Sequence, residues 1–416
     1  MTAALRPRRL LKAALTVALV GLAGCVANPN SVFHNRTDFN RDVGTLFKLI
    51  IFMGTLVFVF TELMLLWAIW RYRARPGAPR PEQVHGNTKL EILWTVIPAV
   101  VLAVIAIPTV TTIFKTQSRA TADALQIEVV GHQWWWEFRY PQYSVTTANE
   151  VYMPLGRTVS FSLNTVDVIH SFWIPGLGGK RDAVYTPNSG WIKYRQNHIW
   201  FTADSTTEDA FNGFCAEYCG TSHANMRFKA FVVSPANFDS WIAHQQKPAV
   251  FPAAAPPPPA RARTAARTPA PTPSPAQGFI GFDRAKMPAY TIPGTPIPAS
   301  ITFDTTLVGD PARGATAMAT GACIACHTIK GVPIMQAKVG PDLTHVGSRL
   351  TIGGGLFPND TKHLGSWIKN AGAMKPGSKM NTMGKGQYDA LTKSVLSMGL
   401  SDQQIADIVA YLPALK

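Results

Sequence analysis

Two apolar runs decide most of what this 416-residue chain can become. The stretches "TLFKLIIFMGTLVFVFTELMLLWAIW" (45–70) and "ILWTVIPAVVLAVIAIPTVTTIF" (92–114) are each long enough to cross a bilayer, which takes about 20 mostly apolar residues. Inside hydrocarbon every backbone N–H and C=O needs a partner within the chain, so both runs are predicted to be helices, paired as a hairpin across the lipid bilayer. The connection 71–91 carries Arg71, Arg73, Arg75, Arg80 and Lys89. That basic loop belongs on the cytoplasmic side, and everything after the second span then lies outside the membrane. Glu62, within the first span, is expected to face protein because a charge in hydrocarbon is costly.

The head of the chain, "MTAALRPRRLLKAALTVALVGLAGC", has a basic start, a short apolar run and small residues before Cys25. It reads as an export signal over 1–24, not a span. Its "LAGC" ending resembles the bacterial lipobox, which would make Cys25 a lipid-carrying N-terminus. The alternative is a plain signal with an incidental cysteine. Residues 25–44 follow as a short periplasmic segment. The expected location is the bacterial inner (plasma) membrane, multi-pass, with the bulk of the chain periplasmic.

Length allows roughly two or three structural units. Residues 121–245 hold short runs rich in Val, Ile, Phe, Trp and Thr, such as "LQIEVVGHQWWWEFRY" and "EVYMPLGRTVSFSLN", broken by turn residues. These predict an all-β sandwich or barrel. Residues 246–304 begin with a Pro/Ala-rich linker that has no means of building a core and continue as an extended connector. From 305 to 416 the pattern is helical, and "SDQQIADIVAYLPAL" opens on Ser401 as an N-cap. Residues 121–245 carry eleven acidic and eight basic side chains, and 305–416 carry six and eleven. No basic helix or aromatic-basic ladder accompanies the positive excess, which argues against nucleic acid as a partner. Complementary potentials between two domains explain it better.

Five cysteines is an odd number for an exported chain. "CIACH" is the C-x-x-C-H pattern of c-type haem attachment: Cys323 and Cys326 hold the ring and His327 ligates the iron. A methionine on the opposite face suits electron transfer. A thioredoxin-like dithiol is the alternative, but it lacks a βαβ context and leaves His327 unexplained. His345 and His363 are expected to be packing or surface residues.

"CAEYCGTSHANM" (215–226) puts two cysteines, a glutamate, a histidine and a methionine into one short stretch, with His170 upstream in "VDVIHSFWIPG". Cysteine and methionine are soft ligands that favour copper, and imidazole suits it too. Two thiolates with one histidine per metal describe a dinuclear centre. Zinc with two cysteines and two histidines is the alternative, and it leaves Met226 and Glu217 without a purpose.

The pattern C-x-E-x-C-x-x-x-H-x-x-M after "DVIHSFW" resembles the CuA site of cytochrome c oxidase subunit II. The resemblance implies a dinuclear copper held by His170, Cys215, the backbone carbonyl of Glu217, Cys219, His223 and Met226. It implies that the Glu217 side chain reaches a magnesium site shared with subunit I. "GHQWWWEFRY" is similar to the family's electron-receiving segment, with Trp134 as the receiving tryptophan. "LEILWTVIPAVVL" is similar to the start of the second span, where Glu91 would sit at the mouth of a proton path. "KPGSKM" resembles the segment supplying the axial methionine of class I cytochromes c and selects Met380, with Met374 and Met383 as competitors. Asn381 stands where many relatives have proline.

The implied fold is a multidomain membrane protein: a two-helix transmembrane hairpin, an all-β cupredoxin-like Greek-key barrel and an all-α class I cytochrome c domain, a fusion known in caa-type oxidases. The implied function is electron input. A periplasmic cytochrome c or an upstream respiratory complex would reduce the covalent haem c. The electron would pass to CuA and on to haem a of subunit I, which holds the haem a-copper centre and works with subunit III to reduce O2 and pump protons. A flexible tether would keep the haem domain near the copper at an effective concentration on the order of millimolar. Two alternatives are the electron-input subunit of a CuA-containing nitric oxide reductase, and a membrane-anchored electron carrier or copper-binding protein without a catalytic partner.

Overall fold

The computed structural model describes residues 12, 15–16, 30–33, 36–73, 75–77, 83, 85–185, 196–204, 207–249 and 278–416. Cys25, nearly all of the expected export signal and the 250–277 part of the linker lie outside the described residues.

The apolar runs form α1 (Asp38–Arg71) and α2 (Thr88–Gln117), both capped at the start by a side chain, Thr37 and Asn87 respectively. Both helices expose their apolar side chains, Phe58, Trp94 and Phe114 among them, as a lipid- or subunit-facing helix must. The hairpin is rooted in the β-domain at its outer end. Asp38 accepts from the Thr202 N–H at 2.8 Å, Asn40 donates to the Pro175 carbonyl at 3.1 Å, and Trp200 donates to the Ser118 carbonyl at 2.8 Å.

Among the described residues ten strands follow: β1 (Leu125–His132), β2 (Trp135–Tyr140), β3 (Val145–Ala148), β4 (Glu150–Pro154), β5 (Thr158–Thr165), β6 (His170–Trp173), β7 (Arg181–Ala183), β8 (His198–Thr202), β9 (Asp209–Cys215) and β10 (Arg227–Val233). They form two five-stranded sheets, ordered β3-β2-β1-β5-β8 and β4-β10-β9-β6-β7. Alternate residues of β2 and β8 are buried, the period-2 pattern of a strand with one face on a core. Trp136, Phe138, Phe161, Phe172 and Phe228 fill the space between the sheets, with Phe172 and Phe228 stacked at 5.0 Å. The helix α3 (Pro235–Gln245), capped by Ser234, packs Phe238, Trp241 and Ile242 into the same core. This is the expected cupredoxin-like domain.

The C-terminal domain is built on α4 (Pro311–Thr320), α5 (Thr361–Lys369), the single turn α6 (Ala371–Met374) and α7 (Asp402–Tyr411). Ser401 caps α7 in a reciprocal capping box with Gln404. The all-α expectation is met only in part. Two short antiparallel pairs are present, β11 (Thr351–Ile352) with β12 (Phe357–Pro358) and β13 (Tyr388–Asp389) with β14 (Ser394–Val395). The cause of the first is the run Gly353-Gly354-Gly355, all at positive φ, which folds the chain back on itself.

The described part of the connector is not a free tether. Phe279, Phe282 and Met287 pack into the β-domain core, and the Phe282 ring stacks on Phe231 at 5.1 Å. Further along, Ile297, Ile301 and Phe303 pack into the helical core. Residues 278–304 therefore form a strap shared by both domains. Its scattered aromatics lack helical or strand periodicity, so pattern alone reads them as loop.

Candidate metal centre

Pairing of β6 with β9 sets Phe172 opposite Cys215, which brings His170 beside a cysteine 45 residues away. The segment from Cys215 to Met226 then loops between β9 and β10 and closes on itself, Cys215 N–H donating to the Met226 carbonyl at 3.0 Å. Gly220 turns the loop at φ 106°, a conformation that favours glycine. The donor atoms converge. His170 Nδ1 lies 3.8 Å from Cys215 Sγ, the two sulfurs are 3.7 Å apart, and His223 Nδ1 and Met226 Sδ lie 3.5 and 3.8 Å from Cys219 Sγ. The Glu217 carbonyl oxygen is 3.3 Å from Cys215 Sγ, while its side chain is exposed. His170, Cys215, Cys219 and Met226 are buried.

A histidine that ligates through one nitrogen needs its other nitrogen held. The ring of His170 is paired with Asp167 Oδ1 through Nε2 at 2.9 Å, leaving Nδ1 toward the sulfurs. Burial opposes ionisation of Asp167, but the bond to His170 and the N–H groups of Gln133 and Val168 hold its carboxyl down at about 2. On the other side, Gly131 lets the ring lie against the backbone of β1, since a Cβ there would meet His170 Cδ2 at 2.5 Å. Hydrogen bonding between the thiols drives Cys215 down to about 3 and pushes Cys219 up. One proton is thus shared by the pair, and binding of a cation displaces it. Two sulfurs, two imidazoles, a thioether and a carbonyl at these spacings fit a pair of soft metal ions, copper before zinc.

A second site lies in the helical domain. A cavity of about 280 Å³ is lined by Cys323, Cys326, His327, Met380 and Met383, with apolar walls from Met318, Ile408 and Leu412. His327 donates from Nδ1 to the Pro341 carbonyl at 2.8 Å, and burial lowers its pKa, which suits a neutral imidazole ligand. Met374 is buried in the surrounding core and does not line the cavity, so the methionine choice narrows to Met380 and Met383. Thiols, imidazole and thioether around an apolar space fit a haem.

Two neighbouring side chains join the two sites. Trp134 lines the cavity together with Gln133 and Trp135, and its indole Nε1–H donates to the Cys219 carbonyl at 2.9 Å. Gln133 Nε2 donates to the same carbonyl at 2.8 Å.

Comparison with known proteins agrees with this geometry. Three family descriptions match: "Cytochrome C oxidase subunit II, transmembrane domain" over residues 36–112, "Cytochrome C oxidase subunit II, periplasmic domain" over 144–233, and "Cytochrome c" over 311–416. Cytochrome c oxidase subunit 2 of Alkalihalophilus pseudofirmus is 31% identical over 352 residues, covering 83% of this chain and 79% of that protein. The chain belongs to the cytochrome c oxidase subunit II family. Subunit 2 of Bacillus sp. PS3 is 32% identical over 346 residues, covering 79% of this chain and 80% of its own. Among solved structures, the periplasmic domain of subunit II of cytochrome oxidase of Bradyrhizobium japonicum covers 31% of this chain and 97% of that chain, at 28% identity and a TM-score of 0.27.

As a subunit II, the chain is part of an oxidoreductase complex. It combines a CuA-type periplasmic domain with a cytochrome c domain on a two-helix membrane anchor. Glu91 lies in the first turn of α2 and Glu62 in the C-terminal half of α1, both exposed and both outside the metal-binding group. His345 is buried, with Nε2 at 3.1 Å from the Lys247 carbonyl, and His363 pairs with Asp360, so both are packing residues as expected. Sequence reasoning missed Asp167 and Gly131. Asp167 stands three positions before His170 in the quoted motif, which is signal enough to have raised it. Gly131 had none.

Proposed function

We propose that this subunit II carries electrons from a periplasmic donor through a covalent haem c to a dinuclear CuA and on to haem a of subunit I. Cys323 and Cys326 would hold the haem, with His327 and Met380 as axial ligands. His170, Cys215, the Glu217 carbonyl, Cys219, His223 and Met226 would hold the coppers. When bound, each group supplies reversible one-electron chemistry without proton exchange. The observation that carries the reading is Trp134, which walls the haem cavity and bonds to a cysteine of the copper loop through a single N–H.

The chain's own residues do the rest. Asp167 fixes the ring of His170, and the Pro341 carbonyl fixes His327. Burial of both cysteines keeps water from the coppers, which limits the reorganisation that each transfer needs. The exposed side chains of Glu217 and Tyr218 mark the face offered to subunit I, and Glu217 would reach its shared magnesium from there. Glu91 would sit at the mouth of the proton path, Cys25 would carry lipid, and subunit III would complete the complex in the bacterial inner membrane. The test is metal analysis of the purified complex. Two coppers and one iron per chain, with a mixed-valence copper spectrum, are expected; one zinc or a single copper would refute the assignment.

A further inference from the structure

The haem cavity is built by both domains. Gln133, Trp134, Trp135, Ala148 and Asn149 of the β-domain form one wall. Two polar side chains fasten that wall, one from each domain. Lys375, only 3% exposed, extends from the helical domain and donates from Nζ to the Trp134 carbonyl at 2.5 Å and the Gly353 carbonyl at 3.2 Å. Glu150, 1% exposed on β4, accepts through Oε1 from the N–H groups of Leu350 and Thr351 at 2.8 and 2.9 Å and from the Thr351 hydroxyl at 3.0 Å. Lys375 and Thr351 themselves line the haem cavity.

The surfaces between these two contacts fit at backbone distance. A Cβ on Gly355 would meet the Phe228 backbone at 3.3 Å, just beyond the copper loop, and one on Gly377 would meet Thr221 Cβ at 3.2 Å and Trp134 Cζ3 at 3.3 Å. Lys379 Nζ stands 5.9 Å from the centre of the Trp134 ring and 3.8 Å from Asp167. The segment that carries Met380 thus covers the indole.

We propose that Lys375 and Glu150 are positioning residues that latch the haem domain over Trp134, so that this chain's own domain permanently occupies the electron-receiving face and a diffusible donor is excluded from it. A buried carboxylate and a buried amine are costly to leave unpaired, so each holds its partner backbone strongly. A donor outside the chain must therefore deliver its electron to the haem from another side. This rests on the reading of the two metal sites given above.

Hydroxyl-radical footprinting of the intact, detergent-purified complex tests the latch. In the wild type, partly buried Trp134 is expected to be oxidised much more slowly than Tyr388 on β13, which is 56% exposed in the helical domain and serves as the fast reference. In the double variant Lys375→Met, Glu150→Ala, oxidation of Trp134 should rise about tenfold or more, and amide hydrogen exchange at Leu350 and Thr351 should quicken by a similar factor. Wild-type Trp134 reacting as fast as Tyr388 overturns the proposal without need of any variant. So does an unchanged footprint in a double variant whose haem and copper spectra are intact. Copper and iron content of the same samples judges the site assignment separately.

Discussion

Replacing Gly131 by alanine should damage the copper site and spare the haem site. The new methyl would lie 2.5 Å from His170 Cδ2, where an ordinary carbon contact is about 3.5 Å, so the ring must retreat by about 1 Å. It has little room to do so, because Asp167 holds Nε2 at 2.9 Å and Trp136 stands edge-on with ring centres 5.8 Å apart. Overpacking of this kind costs about 1–3 kcal/mol, against about 0.4–1 kcal/mol gained from the stiffer unfolded chain, so the fold should survive weakened. The displaced ring no longer aims Nδ1 at the thiolates, and copper affinity should fall about 10- to 100-fold, as when a ligand loses its supporting group. The assay is a chelator competition, with the haem iron of the same chain as an internal standard. Gly340→Ala is the mirror experiment, since its Cβ would meet His327 Cε1 at 2.8 Å and should disturb the haem spectrum while sparing copper. A Gly131→Ala chain that keeps two coppers at wild-type affinity would refute the reasoning.

Four further outcomes follow. Asp167→Asn should weaken copper about 10-fold or more while leaving haem absorbance unchanged, because the amide no longer fixes His170 as a carboxylate does. Met380→Ala should abolish the methionine-to-iron charge-transfer band and lower the haem potential, whereas Met383→Ala should leave both in place; the reverse result transfers the axial role to Met383. Burial raises Glu150 from its ordinary 4.5 to about 7, so between those values the folded chain holds a proton that the unfolded chain has lost. Stability from this group is full below about 4.5 and is lost as pH rises through 7, up to about 3 kcal/mol, and Glu150→Gln should flatten the dependence of the unfolding midpoint on pH in that window. Lys375, lowered by burial from 10.5 to about 7, acts in the separate window above 7, where stability should rise with pH.

What was legible in the sequence was what is local. The ligands from Cys215 to Met226 sit in one loop, and Cys323, Cys326 and His327 in one turn, so spacing alone exposes them. His170 reaches its partners only through strand register, and motif resemblance supplied it where spacing had no means to. The latch is invisible in the sequence for a related reason: Glu150 is an ordinary strand carboxylate until β11 is laid against it, and Lys375 stands in its motif only as a neighbour of Met380, five residues on. The strap was read as connector because its aromatics have no period. The β11–β12 pair of the helical domain follows from three consecutive glycines whose turn geometry depends on what they pack against.

The pairing of β6 with β9 also makes the copper centre a gauge of folding. Side chains alternate faces along a strand, so a slip of one residue would turn His170 to the opposite side of the sheet and leave the thiolates without it. Metal ions that need all the donors together bind only the chain whose strands are in register. Bound a thousandfold above their dissociation constant, they would favour that state by about 4 kcal/mol, a selection among registers exercised by the metal's own donor atoms.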